Sequence, residues 1–329
     1  MDTIKNIPVI KQDVAIQYLI KAQCKEKLPH ALLFTGSEGV GKYKTAVHFS
    51  MICNCCDLPD LSITHSPCGE CNSCRKFKAE QHPDIIKVIP DGAAIKISQI
   101  RILRKQLTFK PVEAKNRFVL ILNAHLMTTE SANALLKILE EPPVRTRFIL
   151  IVENKKDVLQ TISSRCQQIR FKPVPIDTIQ QYIVEQNDVK PEIAQMIARL
   201  SFGSFIRAGL YQKKKWQNIR TYIIIRLNQF DQLSIGMRLC FAENLAKNKD
   251  DIPFILEIML TWFRDILIYC FTPNRIINLD YQNSIYENAK KYPCHAIIDK
   301  IERIQTVQKD LLSNFNKRLA FEQLAMNDL

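Results

Sequence analysis

Glycine is scarce in this sequence: only 8 of its 329 residues are glycine, whereas 47% are hydrophobic and 24% are charged. This composition excludes the collagen-like, low-complexity and disordered classes and favours helix. No uninterrupted apolar stretch reaches the roughly 18 residues that a membrane span needs, and residues 1–13 lack the apolar segment of an export signal. The sequence therefore predicts a cytoplasmic protein with no membrane contact.

A length of 329 residues exceeds what one ordinary core occupies, so two or three domains are expected. Between residues 30 and 171, short apolar runs alternate with amphipathic stretches, which is typical of a parallel sheet covered by helices. The predicted strands are near-continuous runs of Ile, Val, Leu and Phe, as expected for strands buried on both faces. They span residues 31–35, 84–89, 117–122, 147–152 and 166–171. We predict an α/β domain over residues 1–172.

The clearest predicted helix covers residues 128–141, and a pair of prolines ends it. After the proline-containing linker 172–175 the strand pattern stops, and apolar residues recur at helical spacing. Short helical patterns near 176–187, 191–200 and 204–212 follow the linker. They predict a small helical lid over 173–212, and residues 213–329 have room for four or five longer helices of an all-α domain.

Lysine and arginine exceed aspartate and glutamate by 13. This excess favours an anionic partner such as nucleic acid, without locating its binding surface. The eleven cysteines, in a chain with no apparent export signal, argue for free thiols or a metal rather than disulfides. Five cysteines are scattered, and we expect ordinary buried thiols there. These five are Cys24, Cys166, Cys240, Cys270 and Cys294.

Residues 36–42 directly follow a predicted strand and precede a predicted helix, which is the context of a P-loop. Its backbone N–H groups would hold phosphates, with the lysine facing the β- and γ-phosphates. The phosphate-loop residues are Gly36, Gly39, Gly41 and Lys42. The next residue should be a Ser or Thr that reaches Mg²⁺, but it is Tyr43.

A second defect lies at the end of the predicted strand 117–122. An active ATPase of this kind carries there an Asp that holds Mg²⁺ and a Glu that orients the attacking water. Asn123 and Ala124 occupy these two places, and no other strand-like segment before residue 171 ends in Asp-Glu. Binding of ATP or ADP stays open, whereas hydrolysis is not expected.

Six cysteines fall within 22 residues, in a segment that we name the zinc module, about residues 53–76. Three of them are spaced by two residues, and three lie upstream: Cys68, Cys71 and Cys74, preceded by Cys53, Cys55 and Cys56. Four thiolates at such spacing suit a closed, tetrahedral, structural Zn²⁺ site. An iron–sulfur cluster is disfavoured, because its usual run ends in a cysteine followed by proline. The spacing leaves the fourth ligand open among the three upstream cysteines.

Several of these stretches together resemble the AAA+ subunits of the bacterial DNA polymerase III clamp loader, over about 170 residues. They are HALLFTGSEGVGK, PCGECNSC, QHPDIIKV, ESANALLKILEEPP and TISSRCQQIRF. The resemblance implies a P-loop α/β domain, a lid, and a helical collar over 213–329 through which subunits associate in a ring. It also implies ATPase gamma/tau-type and delta-type subunits as partners, with the sliding clamp and primer–template DNA contacted through the complex.

The resemblance assigns roles to individual residues. It favours Cys55 as the fourth zinc ligand. It makes Arg165, in Ser-Arg-Cys, an arginine finger for the ATP of a neighbouring subunit, a contribution worth roughly 10³–10⁵ in rate in other NTPases. Asn154 and Arg207 match the positions of nucleotide sensors, although each could equally be a structural cap or a surface residue.

Three functions are compatible with this sequence. Tyr43, Asn123 and Ala124 depart from the family's active ATPases and favour a non-hydrolysing clamp-loader subunit that completes a neighbour's ATP site. The alternatives are an active motor subunit of gamma/tau type, and a zinc-containing DNA-binding module whose P-loop is vestigial.

Overall fold

The computed structural model describes residues 13–57, 66–187, 189–247, 251–312 and 316–326. Residues 58–65 of the zinc module therefore lie outside the described part. The described residues form two compact units. One holds the residues up to Pro175 together with Phe202–Ile206, and the other holds Ile176–Ser201 and the residues from Arg207 onward. The further separation of a lid from a C-terminal domain stays a prediction.

The first unit is built on a five-stranded parallel sheet with the strand order β2-β3-β4-β1-β5. Its strands are β1 (Ala31–Thr35), β2 (Ile85–Val88), β3 (Arg117–Ile121), β4 (Thr146–Ile151) and β5 (Gln167–Arg170). Its helices are α1 (Asp13–Cys24), α2 (Lys42–Asn54), α3 (Asn72–Lys78), α4 (Ile97–Leu107), α5 (Thr129–Glu140) and α6 (Gln160–Ser163). The predicted α/β class with a parallel sheet is confirmed.

Side chains of the central strands alternate between two apolar layers, because successive residues of a strand point to opposite faces. Leu33 of β1 lies in a layer with Leu135 of α5. Its neighbour Leu32 lies in the other layer with Phe49 of α2. Helices therefore cover both faces of the sheet. A functional site is expected in the loops at the ends of the strands.

The expectation that all five strands are buried on both faces is wrong for β2 and β5. Lys87 of β2 is exposed, and three of the four residues of β5 are exposed. Both strands lie at the edges of the sheet, where each has only one neighbouring strand. The central strands β1 and β3, in contrast, are buried along their whole length.

The chain from Ile176 onward is helical. Its helices are α7 (Ile176–Asn187), α8 (Pro191–Leu200), α9 (Phe205–Tyr211), α10 (Lys214–Asn228), α11 (Ile235–Ala246), α12 (Ile252–Tyr269), α13 (Gln282–Lys291), α14 (Cys294–Leu312) and α15 (Lys317–Met326). Six helices thus follow residue 213 in the described part, where four or five were predicted. Pro293 accounts for one of the breaks, because it separates α13 from α14. Among the described helices, none has both the length and the apolar character needed to cross a membrane.

A buried polar network organises the second unit. The guanidinium of Arg220 on α10 donates two hydrogen bonds of 2.7 Å to Asp280 and one of 2.6 Å to the side chain of Asn278. Asn278 in turn donates its backbone and side-chain N–H groups to the buried carboxylate of Asp265 on α12. The segment between α12 and α13 is thereby fixed to two helices.

A second buried carboxylate, that of Asp84, fixes the segment that precedes β3. Asp84 accepts backbone hydrogen bonds from Val112, Glu113 and Ala114 at 2.8–2.9 Å, and the Nε of Arg117 lies 3.5 Å from it. Burial alone would raise the pKa of Asp84, but these donors hold it below its usual range. The folded chain therefore depends on the charged form of this carboxylate.

We expect Asp84→Ala to lower the free energy of unfolding by about 3–5 kcal/mol, because it leaves the buried charge of Arg117 without its counter-ion and three backbone N–H groups without their acceptor. Urea unfolding followed by circular dichroism measures the change. The control is Asp91→Ala, which removes an exposed carboxylate paired with Lys96 and should leave the urea midpoint unchanged. Equal midpoints for both variants would contradict the role given to Asp84.

The lowered pKa of Asp84 predicts that the stability of the fold depends on pH. The pKa of Asp84 is lower in the folded chain than the roughly 3.9 of an unfolded aspartate. Its stabilisation is therefore fully present above about pH 4 and is lost as the pH falls through the folded-state pKa. The urea midpoint of the wild type, followed as the pH is lowered, measures this loss.

Candidate functional site

The predicted phosphate loop links β1 to α2 as a tight, glycine-dependent turn. Gly36 and Gly39 have φ angles of +144° and +77°, a region that side chains with a Cβ rarely adopt. A Cβ on Gly36 would lie 2.5 Å from the carbonyl oxygen of Phe171, and one on Gly39 would lie 2.1 Å from the Oγ of Ser204. Gly41 then begins α2 as its N-cap residue. The segment therefore connects a strand to a helix, as predicted, and phosphate binding by it stays a prediction.

Lys42 is turned back onto this loop. Its side chain donates to the backbone carbonyl of Gly36 and, at 2.7 Å, to that of Ser37. Burial lowers the pKa of Lys42, and the carboxylates of Glu153 and Glu38 offset part of this shift. A phosphate held by the loop would compete with the two carbonyl oxygens for the ammonium group.

The three residues that depart from the pattern of an active ATPase take part in packing or in a backbone turn. The Tyr43 side chain packs against the apolar core, and the Lys87 ammonium lies 5.5 Å from the centre of its ring. Asn123 follows β3 in a left-handed conformation, and its carbonyl accepts the Leu126 N–H at 2.8 Å. Ala124 is buried. None of the three presents a carboxylate or a short hydroxyl for Mg²⁺ or for water.

Asn154 and Arg207, the two sensor candidates, have ordinary structural contacts. Asn154 is exposed and caps the short helical turn 155–157, where its N–H donates to the carboxylate of Asp157 at 3.2 Å. Arg207 lies in the second unit and donates to Glu257. Burial raises the pKa of Glu257, which the charge of Arg207 partly offsets. Sensor roles for these two residues stay predictions.

Arg165 lies two residues after the last residue of α6, with 39% of its side chain exposed. Its guanidinium donates to Glu140 Oε1 at 2.8 Å and to the carbonyl of Thr161 at 3.0 Å. The next residue, Cys166, is buried in the apolar layer that also contains Ile162 of α6. The backbone at Arg165 is thus fixed by the core, while its charged group faces outward.

Four cysteines of the zinc module lie together. The Sγ atoms of Cys55, Cys68, Cys71 and Cys74 are all within 4.8 Å of one another. The Cys55–Cys68 and Cys68–Cys74 separations are 3.4 and 3.8 Å. This Cys₄ group could hold a metal ion.

Backbone N–H groups point at the sulfur atoms of this cluster. The N–H of Cys68 donates to Cys55, that of Cys71 donates to Cys68, and that of Cys74 donates to Cys71, each at 3.4 Å. Burial would raise the pKa of Cys71, but backbone donors from Cys56 and Cys74 lower it to about 6. At Cys71 these donors stabilise thiolate, which is the form that binds metals, whereas burial raises the pKa of Cys55 and Cys74.

The two other upstream cysteines have different surroundings. Cys53, on α2, is buried in the apolar layer of the sheet, and burial raises its pKa to about 12. Cys56 is exposed. The expectation that all five scattered cysteines are buried is wrong. Only Cys166 is buried; Cys294 is partly exposed, and Cys24, Cys240 and Cys270 are exposed.

Polar residues that sequence reasoning did not single out attach the Cys₄ group to the sheet. Asn54, next to Cys55, donates to the carbonyl of Asn116 at 2.9 Å and accepts the Asn116 N–H at 3.0 Å. Buried His82 lies 3.3 Å from the hydroxyl of Ser73 on α3 and accepts the backbone N–H of Asp84. The signal in the sequence is the family resemblance, since Asn54 precedes the favoured ligand Cys55 and His82 lies in the stretch QHPDIIKV.

The chain is similar to known proteins. The chain matches two family models, one described as DNA polymerase III, delta subunit, over residues 11–175, and one for the C-terminal region of that delta protein over residues 210–327. The DNA polymerase III subunit delta' of Bacillus subtilis is 30% identical over 307 residues, which cover 92% of this chain and 91% of that protein.

A relative and a solved structure extend the comparison. The DNA polymerase III subunit tau of Escherichia coli is 31% identical over 202 residues, 60% of this chain and 30% of that protein. The crystal structure of a DNA polymerase III gamma subunit-related protein from Thermotoga maritima, 16% identical, matches with a TM-score of 0.48, covering 95% of this chain and 98% of that chain. The two family models and the nearly full-length match to a delta' protein show that the chain belongs to the delta-prime family of DNA polymerase III subunits.

Proposed function

We propose that this chain acts in the clamp loader as a subunit that does not hydrolyse ATP but completes the ATP site of a neighbouring subunit. The observation that supports this most directly is the exposed guanidinium of Arg165, fixed at its backbone by the core. A guanidinium offered across an interface can neutralise the charge that develops on a transferring phosphate. The chain's own phosphate loop, with Tyr43 after its lysine, offers no comparable machinery.

The neighbour would be an ATPase subunit of gamma/tau type. Curated relatives of this chain include tau proteins, which match over 60% of its length. We propose that the assembly also holds a delta-type subunit, and that the sliding clamp and primer–template DNA are reached through this assembly. In this proposal residues 173–212 form a lid, and residues 213–329 form the collar through which the subunits associate.

The phosphate loop is proposed to retain room for ATP or ADP without turnover. Hydrolysis requires groups that hold Mg²⁺ and orient water. Tyr43, Asn123 and Ala124 stand in their places. The side chains of Tyr43 and Ala124 pack in the apolar layers, and the backbone of Asn123 forms a turn. A bound nucleotide would therefore act as a structural ligand.

The Cys₄ group is proposed to hold a structural Zn²⁺. Zinc–thiolate bonds of about 2.3 Å in a tetrahedron give sulfur–sulfur separations of about 3.8 Å, and the Cys55–Cys68 and Cys68–Cys74 separations of 3.4 and 3.8 Å are close to this value. Four protein ligands would leave no position for a reacting water, so the metal would stabilise the module rather than catalyse.

Arg165→Ala is expected to slow ATP turnover at the neighbour's site roughly 10³-fold or more, because the transition-state charge loses its partner. The measurement is ATP hydrolysis by a complex assembled from the full chain and wild-type ATPase subunits. Arg170→Ala removes an exposed arginine of β5 and should leave turnover unchanged. If Arg165→Ala leaves ATP turnover unchanged in an intact complex, Arg165 does not act as an arginine finger.

The purified chain alone is expected to show no Mg²⁺-dependent ATP hydrolysis, with or without DNA. A phosphate-release assay tests this directly. Turnover that Lys42→Ala abolishes would identify the chain as an active ATPase instead.

We expect the purified chain to carry about one zinc ion, and Cys55→Ser to lose it along with part of the thermal stability. Inductively coupled plasma mass spectrometry after dialysis measures the metal. Cys56→Ser, which alters an exposed thiol one residue away, serves as the control and should retain zinc. The assignment fails if Cys55→Ser keeps its zinc or Cys56→Ser loses it.

A further inference from the structure

Arg165 pairs with the carboxylate of Glu140, a residue whose backbone is fixed by the core. Glu140 is the last residue of α5, and the residue before it, Leu139, is buried in the same apolar layer as Ile162 and Cys166. The backbones that carry Glu140 and Arg165 are therefore both fixed by this layer. Only the two charged groups are free to reorient, and they meet at 2.8 Å.

The contacts of the guanidinium restrict its orientation. One terminal nitrogen donates to Glu140 and the other donates to the carbonyl of Thr161. An arginine has five N–H donors in a rigid plane, and within the described part of the chain these two contacts leave three without a protein acceptor. Two acceptors on different helices fix the plane, and the remaining donors can bind a phosphate oxygen.

The pair is exposed at both ends, with 39% and 49% of the side chains accessible. An exposed ion pair changes an equilibrium constant by no more than about fivefold. Loss of Glu140 should thus leave the fold intact, and its effect should appear where the orientation of Arg165 matters.

We propose that Glu140 is a positioning residue for the arginine finger. It holds the guanidinium of Arg165 in the orientation that meets the neighbour's phosphate, without touching the nucleotide itself. This inference rests on the proposed role of Arg165. It adds that α5 takes part in the ATP site of the adjacent subunit through Glu140.

The test uses the assembled complex and the component of its ATP turnover that Arg165→Ala removes. Glu140→Ala is expected to lower the kcat of this component about two- to fivefold, with the KM for ATP unchanged. Glu140→Gln should retain most of the turnover, because its amide oxygen can still accept the guanidinium N–H. The double variant Arg165→Ala with Glu140→Ala should be no slower than Arg165→Ala alone.

Glu141→Ala is the matched control. It removes the same charge one residue away, and Glu141 is exposed. Its turnover should equal that of the wild type. If Glu140→Ala is as fast as the wild type or faster, or if Glu140→Gln is as slow as Glu140→Ala, Glu140 does not position the finger. If Arg165→Ala itself changes nothing, the proposed function fails instead.

Discussion

A buried carboxylate fixes the loop that leads into strand β3, and the zinc module depends on that loop. Asp84 holds the backbone N–H groups of residues 112–114, while buried Arg117 donates to the carbonyls of Phe109 and Lys110 at 2.8 and 2.7 Å. A buried polar group left without a partner costs about 1–3 kcal/mol. Movement of the loop would break several of these hydrogen bonds at once. The loop is therefore a rigid support.

The Cys₄ group is attached to this support at two points. Asn116, the last residue of the loop, is paired in both directions with Asn54, which precedes the ligand candidate Cys55. Glu113, whose N–H is held by Asp84, pairs through its carboxylate with Lys76 of α3. The cysteines therefore come together beside an edge strand of the sheet. A metal would join two segments that already share a support, rather than create the fold of the α/β unit.

The sequence predicted the central strands well because their near-continuous apolar runs are typical of strands buried on both faces. It placed residues 36–42 between a strand and a helix because glycines and a lysine directly follow one such run. It could not reveal which strands lie at the edges, since strand order depends on contacts between distant segments. It also could not distinguish the upstream cysteines by spacing alone. Cys53 lies on α2 facing the sheet, whereas Cys55 follows the end of that helix, so helix direction and length decide which sulfur meets the cluster.

The glycines of the phosphate loop are weaker indicators of nucleotide binding than their pattern suggests. Gly36 packs against the carbonyl of Phe171 and Gly39 against Ser204 so closely that a Cβ would clash at either position. Packing within the unit thus requires both glycines whether or not phosphate binds. Lys42 likewise has carbonyl acceptors of its own. Arg165 differs, because the carboxylate and carbonyl that hold it leave part of its donor edge unused. That unused edge belongs to an exposed side chain and can donate to an acceptor from outside the chain, such as the nucleotide anion of the proposed neighbouring site.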